Sequence, residues 1–133
     1  MTKDNFNIDE SLVRDAAQSL VDSSYTIALV GAGISVESGI PTFRGPGGLW
    51  TKLGEPSSNG YKDFLRNPES WWRQNLDPNI DPERTKFRDA IDKAIPNEGH
   101  YALVRLEQIG VLQHQLTQNV DELHFQPRSR SLT

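Results

Sequence analysis

The sequence contains no cysteine, which excludes a disulfide framework and a thiolate metal site within its 133 residues. It has no basic excess either. The formal net charge is −4 with acidic and basic residues interspersed, unlike the basic face of a general nucleic-acid binder. No apolar run approaches the length of a membrane span, and the first ten residues lack the apolar core of a signal peptide. The expectation is one cytoplasmic domain without nucleic-acid or membrane partners.

A glycine turn that directly follows an apolar run is the most informative stretch. Residues 25–50 read YTIALVGAGISVESGIPTFRGPGGLW, and their strand-length run stops at Gly31-Ala32-Gly33. Glycines at the end of a buried strand let the backbone approach a phosphate closely. A dinucleotide fingerprint also needs a third glycine and an acidic residue about twenty positions later. Here Val36 occupies the third position and Glu55 falls in a predicted loop, so a tight strand-to-helix turn remains an equal interpretation.

The rest of the chain predicts an α/β fold with a parallel pair of strands. Apolar spacing predicts a helix from Asp9 to Ser23, and residues 45–60, rich in Gly, Pro and Ser, are predicted to form a loop. Residues 45–96 are interpreted as a helical and loop insertion. Capping residues predict three helices: Pro68 to about Leu76, Pro82 to about Ile95, and one from Glu98 that ends at Gly110. Apolar runs predict two strands, Tyr25–Val30 and Val111–Leu116.

A second group of polar residues, Gln118, Asn119, Asp121 and His124, follows the second predicted strand. In open α/β sheets, ligands bind outside the carboxyl ends of adjacent parallel strands. This group and Gly31–Ser35 are therefore expected to meet in one crevice. Amides can bind ribose hydroxyls, and a buried aspartate can accept from an amide NH₂ group. Asn119 and Asp121 could instead cap a short helix starting there, and both interpretations can hold at once.

Phe43 and Arg44, about ten residues after the glycines, are a third candidate. An arginine there could bind a pyrophosphate in bidentate fashion, and an aromatic ring beside it could exclude water. The alternative is a solvent-exposed arginine and a phenylalanine that fills the core. Three further features are interpreted structurally: His100 as a capping or surface residue, His114 as part of a partly exposed strand, and the Trp71/Trp72 pair as core.

Taken together, GAGISVESGIPTFRGPGGLW and TQNVDELH resemble the sirtuins, the NAD-dependent protein deacylases of the silent information regulator type. The resemblance covers residues 20–124. It implies that residues 1–133 are part of a sirtuin-type deacetylase domain: an incomplete large domain with a partial Rossmann-type parallel sheet and a helical insertion. It also implies NAD as cofactor and an acyl-lysine protein as substrate. In the family reaction the acyl oxygen attacks the ribose carbon as nicotinamide leaves, and the acyl group ends on ADP-ribose.

The resemblance further implies roles for individual residues. The pyrophosphate would lie over Gly31–Gly33 with Ser35 nearby, and Phe43 and Arg44 would belong to a mobile cofactor-binding loop. Gln118 and Asn119 would approach the nicotinamide ribose, while Ile40 and Asp121 would hold the carboxamide. The implied cofactor-binding set is Gly31, Ala32, Gly33, Ile34, Ser35, Ile40, Pro41, Thr42, Phe43, Arg44, Gln118, Asn119 and Asp121.

The chain also departs from the family pattern. Sirtuins carry their general-base histidine in a His-Gly pair after the Gln-Asn-x-Asp motif, and these 133 residues contain no such pair. No catalytic residue is therefore assigned, and His124 belongs to the earlier motif. The paired Cys-x-x-Cys zinc site, the later strands and the Tyr-x-x-Arg signature of acidic-acyl selection, sought around Trp71–Gln74, are also missing. Loss of a general base alone removes a factor of roughly 10²–10⁴ in rate, so we expect a fragment with negligible deacylase activity by itself.

Three alternatives stay open. The chain could be a non-catalytic module that binds NAD or ADP-ribose. It could be an ordinary Rossmann oxidoreductase, which the missing third glycine and ribose carboxylate disfavour. Finally, a two-stranded sheet with unpaired edges could fail to fold alone.

Overall fold

The computed structural model describes residues 8–126. In chain order its elements are α1 (Glu10–Asp22), β1 (Ile27–Val30), a 3₁₀ helix (Ala32–Ser38), α2 (Leu49–Leu53), α3 (Gly60–Arg66), α4 (Pro68–Leu76), α5 (Pro82–Lys93), α6 (Glu98–Gln108) and β2 (His114–Thr117). Helices α2 to α5 all fall within residues 45–96. None of the helices in the described range is long and apolar enough to cross a membrane.

The two strands pair in parallel, with Ile27 opposite His114 and Val30 opposite Thr117, which confirms the predicted parallel pair. The second strand begins three residues later than predicted. Gly110 has φ 78° and ends α6, and the backbone N–H groups of Val111 and Leu112 both donate to the carbonyl of Leu106. These two residues therefore close the helix end, as in a Schellman-type cap, and cannot join the sheet.

Within residues 8–126, only one face of this sheet is buried. Val30 and Gln115 point into the core with 7% and 1% exposure, whereas Ile27, Leu29 and Leu116 on the other face are exposed. Parallel sheets are normally covered on both faces. Within the described residues, the buried strand side chains lie on the Val30 face alone.

A small apolar cluster supports the ends of the strands. Ile40, Ala94 and Leu123 are buried together, and Phe87 and Ile91 of α5 pack against them. The cluster joins the segment after the 3₁₀ helix, the end of α5 and the turn after β2. Burying a side chain such as Leu123 fully stabilises the fold by about 1.5–3 kcal/mol, so this cluster fixes three otherwise separate loops against one another.

The predicted capping signals are confirmed. The side chains of Asn67 and Asp81 accept hydrogen bonds from the N–H groups of Ser70 (2.9 Å) and Arg84 (3.0 Å), with proline in each first turn. Helix α5 ends at Lys93, two residues before the predicted Ile95. The residue before a proline disfavours helical angles, and Pro96 follows Ile95. The helix breaks from Ala94, whose ψ is 145°.

The positions of the helices were predicted more accurately than the burial of their side chains. Asp9 caps α1 as expected, yet none of its residues is buried, and the apolar side chains Leu12, Val13, Leu20 and Val21 are exposed. Helix α4 carries Trp71 and Trp72 as a T-shaped pair at 5.0 Å, and Trp72 is 51% exposed. The expectation that both tryptophans are core residues is therefore wrong for Trp72.

The prediction of a loop over residues 45–60 holds for residues 45–48 and 54–59 and is wrong for Leu49–Leu53, which form α2. Helix α2 forms within it because the chain folds back tightly: the N–H groups of Leu49 and Trp50 donate to the carbonyls of Thr42 (2.9 Å) and Phe43 (2.8 Å). Gly54 then ends the five-residue helix with φ 87°. The surrounding glycine and proline residues are typical of a loop. The short helix depends on contacts with residues 42 and 43, which the sequence pattern does not show.

Candidate functional site

The segment after β1 forms a 3₁₀ helix that turns Ser35 inward. Its end is set by Gly39, whose φ of 90° lies in the left-handed region that favours glycine. Beyond it the N–H of Ile40 donates to the carbonyl of Ser35 at 3.2 Å. This geometry leaves Ser35 1% exposed and places Ile40 in the apolar cluster.

Ser35 meets Asp121, which lies 86 residues later in the sequence. Its hydroxyl donates to Asp121 Oδ2 at 2.6 Å, and Asp121 Oδ1 accepts from the N–H of Leu123 at 3.1 Å. The Asn119 amide donates to the carbonyl of Gly31 at 3.1 Å. The predicted meeting of the two polar segments in one crevice is therefore confirmed. The alternative of a helix starting there is wrong, since residues 118–126 form turns and no helix.

The glycine turn leaves room for a ligand. A Cβ atom built on Gly33 would meet nothing within 4 Å, whereas one on Gly31 would lie 3.2 Å from Nε2 of Gln118. Open space over Gly33 is what a phosphate needs in order to reach backbone N–H groups. These residues therefore fit a nucleotide phosphate, with the Gln118 side chain alongside.

A cleft that is open to solvent and encloses only about 20 Å³ lies between the turn and α5. This enclosed volume is far below the roughly 300–1,000 Å³ of sites for drug-sized ligands, so a ring would have to lie in the open part of the cleft, against its wall. Apolar side chains form most of its wall, and Ser35, Asn119 and Asp121 supply polar groups. The lining residues are Ala32, Ser35, Ile40, Pro41, Phe43, Phe87, Ile91, Asn119, Val120 and Asp121.

Phe43 and Arg44 are placed differently. Phe43 packs between Trp50 (ring centroids 4.8 Å apart) and Phe87 (5.4 Å), and it lines the cavity. Arg44 does not line it. Its guanidinium lies 4.5 Å over the Trp50 ring and donates to both carboxylate oxygens of Glu55, at 2.7 and 2.9 Å. Glu55 stands about where the dinucleotide fingerprint requires an acidic ribose ligand. Its carboxylate binds Arg44 instead, and this hydrogen bond lowers the pKa of Glu55.

The remaining sequence candidates lie around this core of the site. Ile34 turns its carbonyl toward α6, and the Thr42 hydroxyl donates to the carbonyl of Arg44 at 2.6 Å. Gln118 is exposed at the mouth of the crevice, where its N–H donates to the carbonyl of Val30. The structure therefore brings the glycines, Ser35, Asn119 and Asp121 together and leaves Arg44 engaged elsewhere.

Two histidines lie close to Asp121, and their burial was not predicted from the sequence. His100 and His124 are 1% and 2% exposed, with ring centroids 4.9 Å apart. His100 does cap its helix, because its Nδ1 accepts from the N–H of Asn97 at 3.2 Å. Its position three residues after Asn97 is the capping-box spacing that could have indicated this contact. Burial lowers the pKa of both imidazoles, and the neighbouring His124 lowers that of His100 further, against the opposing effect of Asp121.

The histidine pair predicts loss of stability in mild acid. Because both pKa values are lower in the folded chain than the ordinary 6.5, the unfolded chain takes up protons first as the pH falls. The free energy of unfolding is therefore unaffected by these two groups above about pH 6.5. Below that pH it declines, by at most about 1.4 kcal/mol per pH unit for each histidine. Urea unfolding at pH 7.5, 6.5 and 5.5 measures this decline.

A phenylalanine at position 124 gives the matched variant. Neither ring nitrogen of His124 has a hydrogen-bond partner among residues 8–126, so His124→Phe keeps the packing while it removes one titrating group. We expect a shallower decline between pH 6.5 and 5.5. The control is His114→Phe on the exposed face of β2. An unchanged slope in His124→Phe, or an equal change in both variants, would contradict the assignment.

Comparison with known proteins decides the family. The model of the Sir2 family matches residues 31–133, which include the glycine turn, Ser35, the Phe43 loop and the strand end with Asp121. The chain belongs to the Sir2 family. Two curated Sir2-type relatives are the NAD-dependent protein deacylase of Pyrococcus abyssi, 43% identical over 122 residues, and the NAD-dependent protein deacylase 2 of Archaeoglobus fulgidus, 39% identical over 121.

Solved Sir2 structures share the fold. A Sir2 homologue in complex with ADP-ribose superposes with a TM-score of 0.67 at 36% identity, over 94% of this chain and 45% of that one. A complex of Sir2 with a p53 peptide and NAD⁺ has a TM-score of 0.63 at 32% identity, over 90% and 43%. The two curated relatives are covered over 45% and 44% of their length, and 91% of this chain aligns with each. The fold is therefore a partial Rossmann-like sirtuin domain, and the chain spans about half the length of its relatives.

Proposed function

We propose that this chain supplies the phosphate-binding turn and the nicotinamide pocket of a sirtuin-type, NAD-dependent protein-lysine deacylase. The observation that carries the proposal is the contact between Ser35 and Asp121 at 2.6 Å. It joins the glycine turn to the second polar motif and closes one end of the cavity. The names of the relatives, NAD-dependent protein deacylases, support the same cofactor and reaction.

Each part of the site suits one part of the dinucleotide. The backbone of residues 31–33 faces open space at Gly33 and would receive the pyrophosphate. The apolar wall formed by Ile40, Phe43 and Phe87 would hold the nicotinamide ring. Asp121, already an acceptor for two hydrogen bonds, would accept a third from the carboxamide NH₂ group. Asn119 is beside the turn and would bind a ribose hydroxyl.

When bound, NAD supplies the ADP-ribosyl group that accepts the acyl group from lysine. The residues of this chain orient that cofactor and exclude water, chiefly through the ring of Phe43 against the cavity. Proton transfer needs a base near neutral pH. His100 and His124 are buried, have lowered pKa values and pack against each other. We therefore propose that the 133 residues bind the cofactor and do not supply the general base. The zinc site of the family has no cysteine ligand here.

The test separates binding from catalysis. Isothermal titration of the purified chain with ADP-ribose and with nicotinamide should give saturable binding, with Kd on the order of 100 μM. Mass spectrometry of an acetyl-lysine peptide incubated with NAD and the chain should show no free lysine. Absence of binding would contradict the nucleotide site, and NAD-dependent deacetylation would contradict the limitation to binding.

A single methyl group provides a sharper test of the phosphate turn. The Gly33→Ala variant should fold normally, because its Cβ would meet nothing within 4 Å. The same methyl group would occupy the space reserved for the phosphate, so ADP-ribose affinity should fall at least about tenfold, a loss of about 1.4 kcal/mol. Nicotinamide, which has no phosphate, should bind unchanged. Unchanged ADP-ribose affinity would place the phosphate elsewhere, and an equal loss for both ligands would show that the methyl group disturbs the whole site.

A further inference from the structure

Asn97 connects two elements that carry the site. Its Oδ1 caps α6 by accepting from the N–H of Gly99 at 2.9 Å, while its amide nitrogen donates outside the helix. The acceptors are the carbonyl of Ile34 at 2.7 Å and the hydroxyl of Ser38 at 3.0 Å. One side chain therefore caps one helix and binds another, and the two acceptors lie on either side of Ser35 in the sequence.

The neighbouring residues hold Asn97 in this orientation. A Cβ atom at Gly99 would lie 3.2 Å from Cγ1 of Ile34 and 3.1 Å from Oδ1 of Asn97, so α6 approaches the 3₁₀ helix closely where it has a glycine. On the other side, the backbone N–H of Asn97 donates to Nδ1 of His100. The capping box and the close packing together aim the amide at the 3₁₀ helix.

The 3₁₀ helix needs such support. Runs longer than three or four residues are uncommon because their hydrogen-bond geometry is poor, and this one has seven, Ala32–Ser38. Its inward face carries Ser35, which must meet Asp121. A hydrogen bond near each end of the helix, both from Asn97, restrains the segment in the conformation in which that contact forms.

We propose that Asn97 is a positioning residue of the nucleotide site: its amide clamps the 3₁₀ helix and so holds the phosphate turn and Ser35 in place. The consequence for ligand binding rests on the proposed function above. The clamp itself is a property of the unliganded chain, and it can be measured without a ligand.

The test is Asn97→Asp, which keeps the cap acceptor and removes the donor. Asp and Asn are equally good N-caps, so the melting temperature should stay within a few degrees of the wild-type value. Hydrogen exchange at residues 34–40 should accelerate about tenfold, and ADP-ribose affinity should fall by a similar factor. Asn67→Asp is the matched control, because the Asn67 side chain caps α4 through Ser70 and, within residues 8–126, makes no hydrogen bond to another element.

The outcomes separate the two claims. Unchanged exchange at residues 34–40 in Asn97→Asp overturns the clamp, and faster exchange with unchanged ADP-ribose affinity overturns its role in positioning. If the wild-type chain binds no ADP-ribose, the proposed function fails, and the exchange measurement alone decides whether Asn97 holds the helix. Should Asn97→Asp unfold, Asn97→Ser replaces it, since serine caps well and has no amide to donate.

Discussion

The Asp121→Ala variant is expected to lose both nicotinamide binding and about 3 kcal/mol of unfolding free energy. The carboxylate is buried and accepts from the Ser35 hydroxyl and the Leu123 N–H. A hydrogen bond to a charged group contributes about 1.5–3 kcal/mol, and removing it leaves a buried donor unpaired. Against a typical total of 5–15 kcal/mol this is a large loss. Urea unfolding and nicotinamide titration measure the two effects.

Asp121→Asn distinguishes recognition from folding. The amide has the same shape and still offers one oxygen to Leu123, so the variant should remain folded. It cannot accept from both Ser35 and a carboxamide, and nicotinamide affinity should fall about tenfold or more. The exposed cap residue Asp9 provides the control, because Asp9→Asn makes the same exchange far from the site. Normal nicotinamide binding by Asp121→Asn would remove Asp121 from the proposed pocket.

The second large effect is expected from Gly48→Ala. A Cβ there would lie 2.7 Å from the carbonyl oxygen of Phe43 and 2.8–2.9 Å from backbone atoms of Arg44. Backbone atoms cannot move aside as a flexible side chain can, so the turn that leads into α2 must open. Overpacking of this kind costs about 1–3 kcal/mol. The ring of Phe43 should leave its place between Trp50 and Phe87, and nicotinamide affinity should fall with it.

Fluorescence and a matched glycine check this prediction. Trp50 contacts Phe43, so its emission should shift to longer wavelength as the turn opens in Gly48→Ala. The control is Gly60→Ala at the start of α3, where a Cβ would meet nothing within 4 Å. That substitution should leave stability unchanged or slightly raised, because alanine favours a helix more than glycine does. Equal stability of the two variants would contradict the close approach at Gly48.

The predictions that succeeded depend on local chemistry. Asn67 with Pro68, and Asp81 with Pro82, determine helix starts through contacts within three residues. The meeting of the glycine turn with Asp121 was also predictable, because the carboxyl ends of parallel strands lie at one edge of a sheet. The family motifs then indicated NAD as the cofactor, which neither the helix caps nor the parallel strands specify.

The failures concern contacts between distant segments. Helix α2 depends on hydrogen bonds back to residues 42 and 43, which no local pattern reveals. The apolar stripe of α1 predicts a buried face, yet periodicity does not say what covers it, and its residues are exposed. His100 caps α6, as one of its two interpretations expected, but it is not a surface residue, because its ring is buried against that of the distant His124.

Nuclear magnetic resonance of the ¹⁵N-labelled chain tests the central claim most directly. Titration with ADP-ribose should shift the amide resonances of residues 31–35, and titration with nicotinamide should shift those of residues 119–123, with little change in α1 or α4. In Gly33→Ala the first set of shifts should vanish while the second persists. If both ligands leave these amides unmoved, or shift α1 and α4 instead, the assignment of the nucleotide site to the Ser35–Asp121 crevice is wrong.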